Sequence, residues 1–311
     1  IGRNLRAEDD GYYAEVGGVV TLEAGRVEVR KMLIRDRDLT RADGPLVFDG
    51  DVQLRGGVRS GASLKATGDI TVDGPVEDAL IQSSRGDIQL RHGVAGRHRG
   101  VIRAGENVCA RFAENVTIYA GRSIILDVGS LHSHLVAGES IQLLRGRGQL
   151  LGGIAVAGDA IEARQIGNST SALTEITVGL SRKAMRTLAQ IDDQLNTARM
   201  QSMESGELAD RMKRTVGDPA KLSGEEKQIY IRLRQTQLAR DVQVSRLETQ
   251  RENILQENAR SRTGQVKAER ELLPGVRIRI GAHTFECDEV CKRCCVRFDE
   301  KSGRIVTRPL R

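Results

Sequence analysis

Between about residues 50 and 179, pairs of apolar residues separated by one polar residue recur at intervals of roughly 16 to 20 residues. The clearest copies are Gly50-Asp51-Val52-Gln53-Leu54, Gly68-Asp69-Ile70-Thr71-Val72 and Gly86-Asp87-Ile88-Gln89-Leu90. Looser copies carry Val108, Ile124, Ile141 and Ile161 at the same place. Alternation of period two is the strand signature: Ile70 and Val72 turn inward and Thr71 turns outward. Each repeat holds two further apolar clusters, Val76 and Ile81 in one copy, Val58 and Leu64 in another. Three short strands per repeat, joined at glycine-containing corners, predict a three-sided parallel β-helix, a solenoid. With turns stacked about 4.8 Å apart, the seven anchors span roughly 30 Å. Uneven spacing implies corner loops of variable length, which argues against a strict hexapeptide left-handed helix and for a right-handed one.

The pattern divides the chain into four. Residues 1–45 form a lead-in, with strands at Val19–Leu22 and Val27–Val29 around Ala24-Gly25 and a turn at Asp10-Gly11. Such a segment suits a cap, because an open solenoid end exposes unpaired strand edges. Residues 46–180 are the β-helix. Over residues 181–272 the period changes: Ala184, Leu188, Ile191, Leu195 and Ala198 follow helical spacing. Gly217-Asp218-Pro219 breaks that helix, and Ser223 with Glu226 makes a capping box for a second one. Its stripe of Tyr230, Leu233, Val244, Leu247 and Ile254 is interrupted by Gln237, Arg240 and Arg251. Two helices with a short connection predict an antiparallel coiled-coil hairpin. Residues 273–311 return to strands, read as a small antiparallel sheet holding Val276, Ile278, Ile280, Val296-Arg297-Phe298 and Arg304-Ile305-Val306.

Composition fits a slender aliphatic core. Aromatic residues are 3% of the chain and Trp is absent, whereas there are 34 glycines for sharp corners. A net charge of +6 sets 48 basic residues against 42 acidic ones, a mixed surface rather than a phosphate groove. With neither a dense basic run nor stacking aromatics, nucleic-acid binding is not expected. No apolar stretch reaches the roughly 20 residues needed to span a bilayer. The start at Ile1, without Met or a signal pattern, reads as a piece of a longer protein. Five cysteines, four of them crowded together, suit a reducing cytoplasm better than a disulfide framework.

Three constellations bear on chemistry. Cys287, Cys291, Cys294 and Cys295, with His283 nearby, have thiolate and imidazole ligands at a spacing that suits zinc. Against zinc, Cys294 and Cys295 would point to opposite faces of a strand, and small buried thiols pack well as apolar residues. His132 and His134 bracket Ser133; as strand residues both would face solvent, whereas a solenoid acyltransferase needs a histidine base in a cleft. His92 and His98 read as mobile surface residues of the widest corner, and Cys109 and Phe112 as interior filling. Asp51, Asp69, Asp87 and Asp159 precede successive strands, which predicts carboxylates accepting backbone N–H groups at turns. Gly146-Arg147-Gly148 and Gly152-Gly153 lack the Lys-Ser/Thr of a phosphate loop. No catalytic residue and no bound cofactor other than this zinc is expected.

The order of motifs resembles the flagellar assembly protein A family, bacterial proteins whose β-solenoid is similar to the C-terminal domain of the division inhibitor MinC. The resemblance rests on the Gly-Asp-Ile steps at 68–70 and 86–88, and on Ala110-Arg111-Phe112-Ala113-Glu114-Asn115. It continues through Gly152-Gly153, Ala157-Gly158, Ile166-Gly167-Asn168 and Thr174-Glu175-Ile176-Thr177-Val178-Gly179, to Gly275–Gly281 beyond the helices. The cysteine cluster is not part of the family pattern. The resemblance implies a non-enzymatic cytoplasmic scaffold or regulator acting through protein partners in flagellar assembly or its polar regulation, with self-association expected of a flat-sided solenoid. The alternatives are a polymerising solenoid akin to bactofilins or MinC and, more remotely, a solenoid acyltransferase or lyase.

Overall fold

A computed structural model describes residues 2, 4–8, 11–23, 25–168, 173–216, 223–257 and 263–310. The anchors read from the repeat fall into one column. Leu33, Val52, Ile70, Ile88, Val108, Ile124, Ile141, Ile161 and Val266 stand in parallel register, each opposite the next. A second column runs through Leu39, Val58, Val76, Val94, Ala113, Ser130, Leu150, Ile166 and Leu272. The third holds Leu46, Leu64, Ile81, Ile102, Ile118, Leu135, Ala155, Ile176 and Ile278. Three parallel ladders per turn over about eight turns make a parallel β-solenoid. Its core is a file of small aliphatic groups: Leu54, Leu64, Ile70, Ile81, Ile88, Leu90 and Ile102 are all fully buried. Each such side chain contributes about 1.5–3 kcal/mol by leaving water.

The solenoid starts earlier than residue 46, because Met32–Arg35 already pairs in parallel with Asp51–Leu54. Ahead of it lie two antiparallel hairpins, Leu5–Glu8 with Gly11–Ala14 and Val19–Glu23 with Arg26–Arg30. The expected turn residues Asp10 and Ala24 lie outside the described residues. At the far end the ladders continue past the helices. Gln265–Leu272 pairs in parallel with Ala160–Ile166, and Val276–Ile280 with Thr174–Val178. The antiparallel sheet expected over 273–311 is thus narrower: Val276–Ile280 belongs to the last turn of the coil. The remainder closes that turn in antiparallel fashion, His283–Glu286 on Val276–Ile280 and Cys291–Asp299 on Gln265–Leu272. Arg304–Pro309 completes the cap.

The helices form a separate compact unit, residues 181–260, which in sequence interrupts the coil. The chain leaves the coil at Gly179 and re-enters at Gly264, which touch: a Cβ on Gly264 would lie 2.8 Å from the Gly179 nitrogen. Helix α1 (Arg182–Val216) and helix α2 (Gly224–Glu257) are joined outside the described residues, where the expected Gly217-Asp218-Pro219 break lies. The capping box forms, with Ser223 Oγ donating to Glu226 Oε2 at 2.6 Å and the Glu226 N–H reaching Ser223 Oγ at 3.4 Å. The helices run antiparallel: Asp192 meets Arg251, Arg199 meets Glu248, Ser202 meets Asp241 and Asp210 meets Arg234. Ile191, Leu195 and Leu247 are buried between them, with Val244 and Ile254 packed alongside.

Candidate functional site

Of the five residues expected to surround zinc, Cys287 and Cys291 share one acceptor, the Glu289 carbonyl oxygen, at 3.0 and 3.6 Å. Cys294 is buried and its thiol points to the Cys291 carbonyl at 3.7 Å. Cys295 faces the other side of its strand, toward Gln265 Oε1 at 3.8 Å, as strand alternation requires. His283 packs on Phe298, ring centroids 4.7 Å apart. Cys295 is therefore set apart, whereas Cys287, Cys291 and Cys294 lie near one another; among the described residues no group of three or more His, Cys, Asp or Glu is arranged to hold a metal ion. Burial and the neighbouring Cys291 push the Cys287 thiol up to about 12, and burial lifts Cys294 to about 11. At neutral pH both are packed, protonated thiols.

The histidines are sorted by the backbone. His132 adopts a left-handed conformation, φ 46°. The registers on either side place it beside Asn115, φ 49°, and Gly152, φ 64°. This is a stacked file of left-handed corners, filled by the residue types that tolerate that region. The corner corrects the expectation that His132 and His134 share a face. The chain turns at His132, which is exposed, buries Ser133, and sends His134 to the outer side of the third ladder next to Tyr119. Cys109 is also corrected: paired with Gln89 and Ile125, it lies on the outer face between inward Val108 and Ala110. Phe112 sits at a corner, half-buried, with its ring filling the space beside Gly93.

The aspartate file carries the expected carboxylate–backbone contacts, and they run between turns. Asp51 accepts the Asp69 N–H at 2.8 Å, Asp69 that of Asp87 at 2.9 Å, and Asp87 that of Asn107 at 2.8 Å. Asn107 continues the file to Ser123, whereas at Asp159 the backbone oxygen makes the next link, to Gln265. These carboxylates replace water at corners where ladder bonding lapses, so they staple turns together. Asp38 does the same across another corner. The Gly57 N–H and the Arg59 guanidinium hold its carboxyl below the usual range. An open groove of about 590 Å³ lies beside the file, its walls mixing Lys31, Asp49, Asp51, Asp69 and Arg85, with Lys31 and Asp49 paired at 3.0 Å.

Of two surfaces, one escaped the sequence reading and the other was expected to be mobile. The first is on α2, where Ile231, Leu238 and Val242 are 45%, 67% and 64% exposed. Their spacing puts them on one helical face, nearly opposite the Leu247 side that meets α1. That spacing was the available signal, obscured because α2 has apolar residues on both faces. The second is the corner carrying Arg97, His98 and Arg99, all exposed. Its backbone is held from beneath: Asp78, 9% exposed, accepts the N–H groups of Arg97, Gly100 and Arg99 at 2.5, 3.1 and 3.3 Å. A corner expected to be mobile is therefore pinned.

No helix is long and apolar enough to cross a membrane among the described residues. No curated protein and no solved structure matches the chain. The family model for the Flagellar Assembly Protein A beta solenoid domain matches residues 14–304, nearly the whole of the coil, the inserted helices and the antiparallel end. With its three-ladder coil and that match, the chain belongs to the flagellar assembly protein A family.

Proposed function

We propose that the chain is a non-enzymatic cytoplasmic scaffold that serves flagellar assembly by binding other proteins, with the solenoid as a stiff platform and the helical pair as its recognition arm. The observation that carries this reading is the insertion. A self-contained helical unit leaves and rejoins the coil at the touching residues Gly179 and Gly264, and its second helix exposes Ile231, Leu238 and Val242. Exposed apolar residues in a row mark protein contact surfaces.

The close approach of Gly179 and Gly264 allows residues 181–260 to be excised and replaced by a short glycine linker. Capture of partners from a flagellated bacterium, with the full chain and the excised chain in parallel, tests the arm. Partners lost only on excision assign it recognition; partners retained by the bare coil refute that role. Electron microscopy of a strain lacking the protein tests the flagellar part: wild-type flagella in number and position would refute it.

End-to-end stacking of copies is a second reading. Leu33, Leu46 and Phe48 of the first turn are only partly buried, although later turns close over their counterparts. Sedimentation over a concentration series distinguishes it, since a fixed small species excludes a polymer.

A further inference from the structure

The turn Arg91-His92-Gly93-Val94-Ala95-Gly96-Arg97-His98-Arg99 concentrates five basic or imidazole side chains, all exposed, at the two ends of one short rung. Leu90 pairs with Ala110, so Arg111 lies one turn above Arg91, about 4.8 Å away along the stack. Two basic corners are thus separated by no more than about 20 Å of chain.

Much of the positive charge on this coil is neutralised in place. Lys31 pairs with Asp49, Arg35 with Asp43, Arg55 with Asp36, and Arg122 with Glu106 and Glu139. Arg59 bridges Asp38 and Glu77. Arg91 has Asp73. By contrast Arg97, Arg99 and Arg111 have no ion-pair partner among the described residues.

The corner is also built rather than slack. The carboxylate of buried Asp78 takes backbone N–H groups of the corner that presents Arg97 and Arg99, and His98 between them holds a left-handed φ of 63°. Gly96 is held just as closely, since a Cβ there would meet Asp78 Oδ1 at 2.6 Å and the Asn115 carbonyl at 2.7 Å. Strain maintained beneath a presented side chain is characteristic of binding sites. Fixed geometry also lowers the entropy lost when a partner docks.

We propose that this face, Arg97 and Arg99 with Arg91 and Arg111 beside them, is a docking surface for an acidic segment of a protein partner. Charge complementarity names the partner's chemistry. The short span and the carboxylates of Asp73 and Glu77 on the adjoining turn favour a peptide segment over a long polyanion, and Phe112 is packed at its corner and not offered for base stacking. The inference rests on the reading that the chain acts by binding proteins, but it concerns the coil and not the arm.

The test uses the full chain and a fluorescent peptide alternating Glu and Ser, with a single-stranded oligonucleotide of equal charge as competitor. The doubly reversed variant Arg97→Glu/Arg99→Glu is compared with Lys65→Glu/Arg85→Glu, which makes the same change of net charge elsewhere on the coil. Expected is salt-sensitive peptide binding that weakens roughly tenfold in the first variant and less than about twofold in the second, both melting like the parent. Equal loss in both variants, no binding by the parent chain, or tighter binding of the oligonucleotide overturns the proposal. Should it fall while partner capture by the arm persists, the scaffold reading survives without it.

Discussion

Asp78 offers the sharpest test of how the coil holds a corner in place. Its Oδ1 takes three backbone N–H groups, from Arg97, Gly100 and Arg99. Charge-assisted hydrogen bonds contribute about 1.5–3 kcal/mol each, less where water can replace the acceptor. Arg97 and Arg99 are exposed, so their N–H groups can turn to solvent; Gly100 is buried and cannot. Asp78→Ala is therefore expected to make local opening of the corner easier by about 2 kcal/mol, roughly thirtyfold in open population. Asp78→Asn keeps the oxygen and loses the charge, for about 1 kcal/mol or roughly fivefold. Trypsin supplies the readout, because cleavage after Arg97 and Arg99 requires the corner to open. Timed digestion with mass mapping should show those two cuts accelerated in the order Asn, then Ala, with cleavage elsewhere in the coil unchanged. Parental cleavage rates in both variants would refute the pinning argument. So would uniform acceleration along the coil, which would mean that Asp78 supports the whole fold.

Four further outcomes follow from the core and the cap. Ile88 is fully buried between Ile70 and Val108, so Ile88→Ala should cost about 2–5 kcal/mol, read as a lower urea midpoint. Ser130 occupies an inward column position between Ala113 and Leu150, and its hydroxyl finds no hydrogen-bond partner among the described residues. Ser130→Ala should therefore stabilise the coil by about 1 kcal/mol in the same assay, and a lower midpoint would contradict the reading. The Cys287 thiol ionises near 9.0 when unfolded and near 12 in place. The unfolded chain takes the negative charge first, so this contribution is intact below about pH 9 and is lost as pH rises toward 12. Alkaline melting should show it. Native iodoacetamide labelling at neutral pH should spare Cys287 and Cys294 but modify both in denaturant; rapid native labelling would refute their protonated, packed state.

Much of the architecture was legible because a solenoid is locally coded. Period-two alternation decides which side of each strand is apolar, and regular recurrence forces those sides into register, so Val52 through Ile161 formed one column as their spacing required. The capping box at Ser223 and the carboxylate contacts of Asp51, Asp69 and Asp87 were likewise written in neighbouring residues. Other features depend on what lies one turn away. Whether His132 continues a strand or turns a corner is settled by Asn115 and Gly152 stacked against it, some twenty residues off in sequence. Cys109 faces outward because Val108 and Ala110 claim the interior, which alternation from the Val108 anchor already implied. The solenoid's resumption at Gln265 after the helices could not be read locally, since parallel pairing joins residues more than a hundred positions apart. The opposite facing of Cys294 and Cys295 was legible from strand alternation, but the nearness of Cys287 and Cys291 to Cys294 depends on how the antiparallel cap folds back. The chain's own pattern thus determined what each turn is made of. Tertiary stacking alone decided which corners are pinned, which thiols meet and which charges are left facing water, because those contacts form between turns and not along the chain.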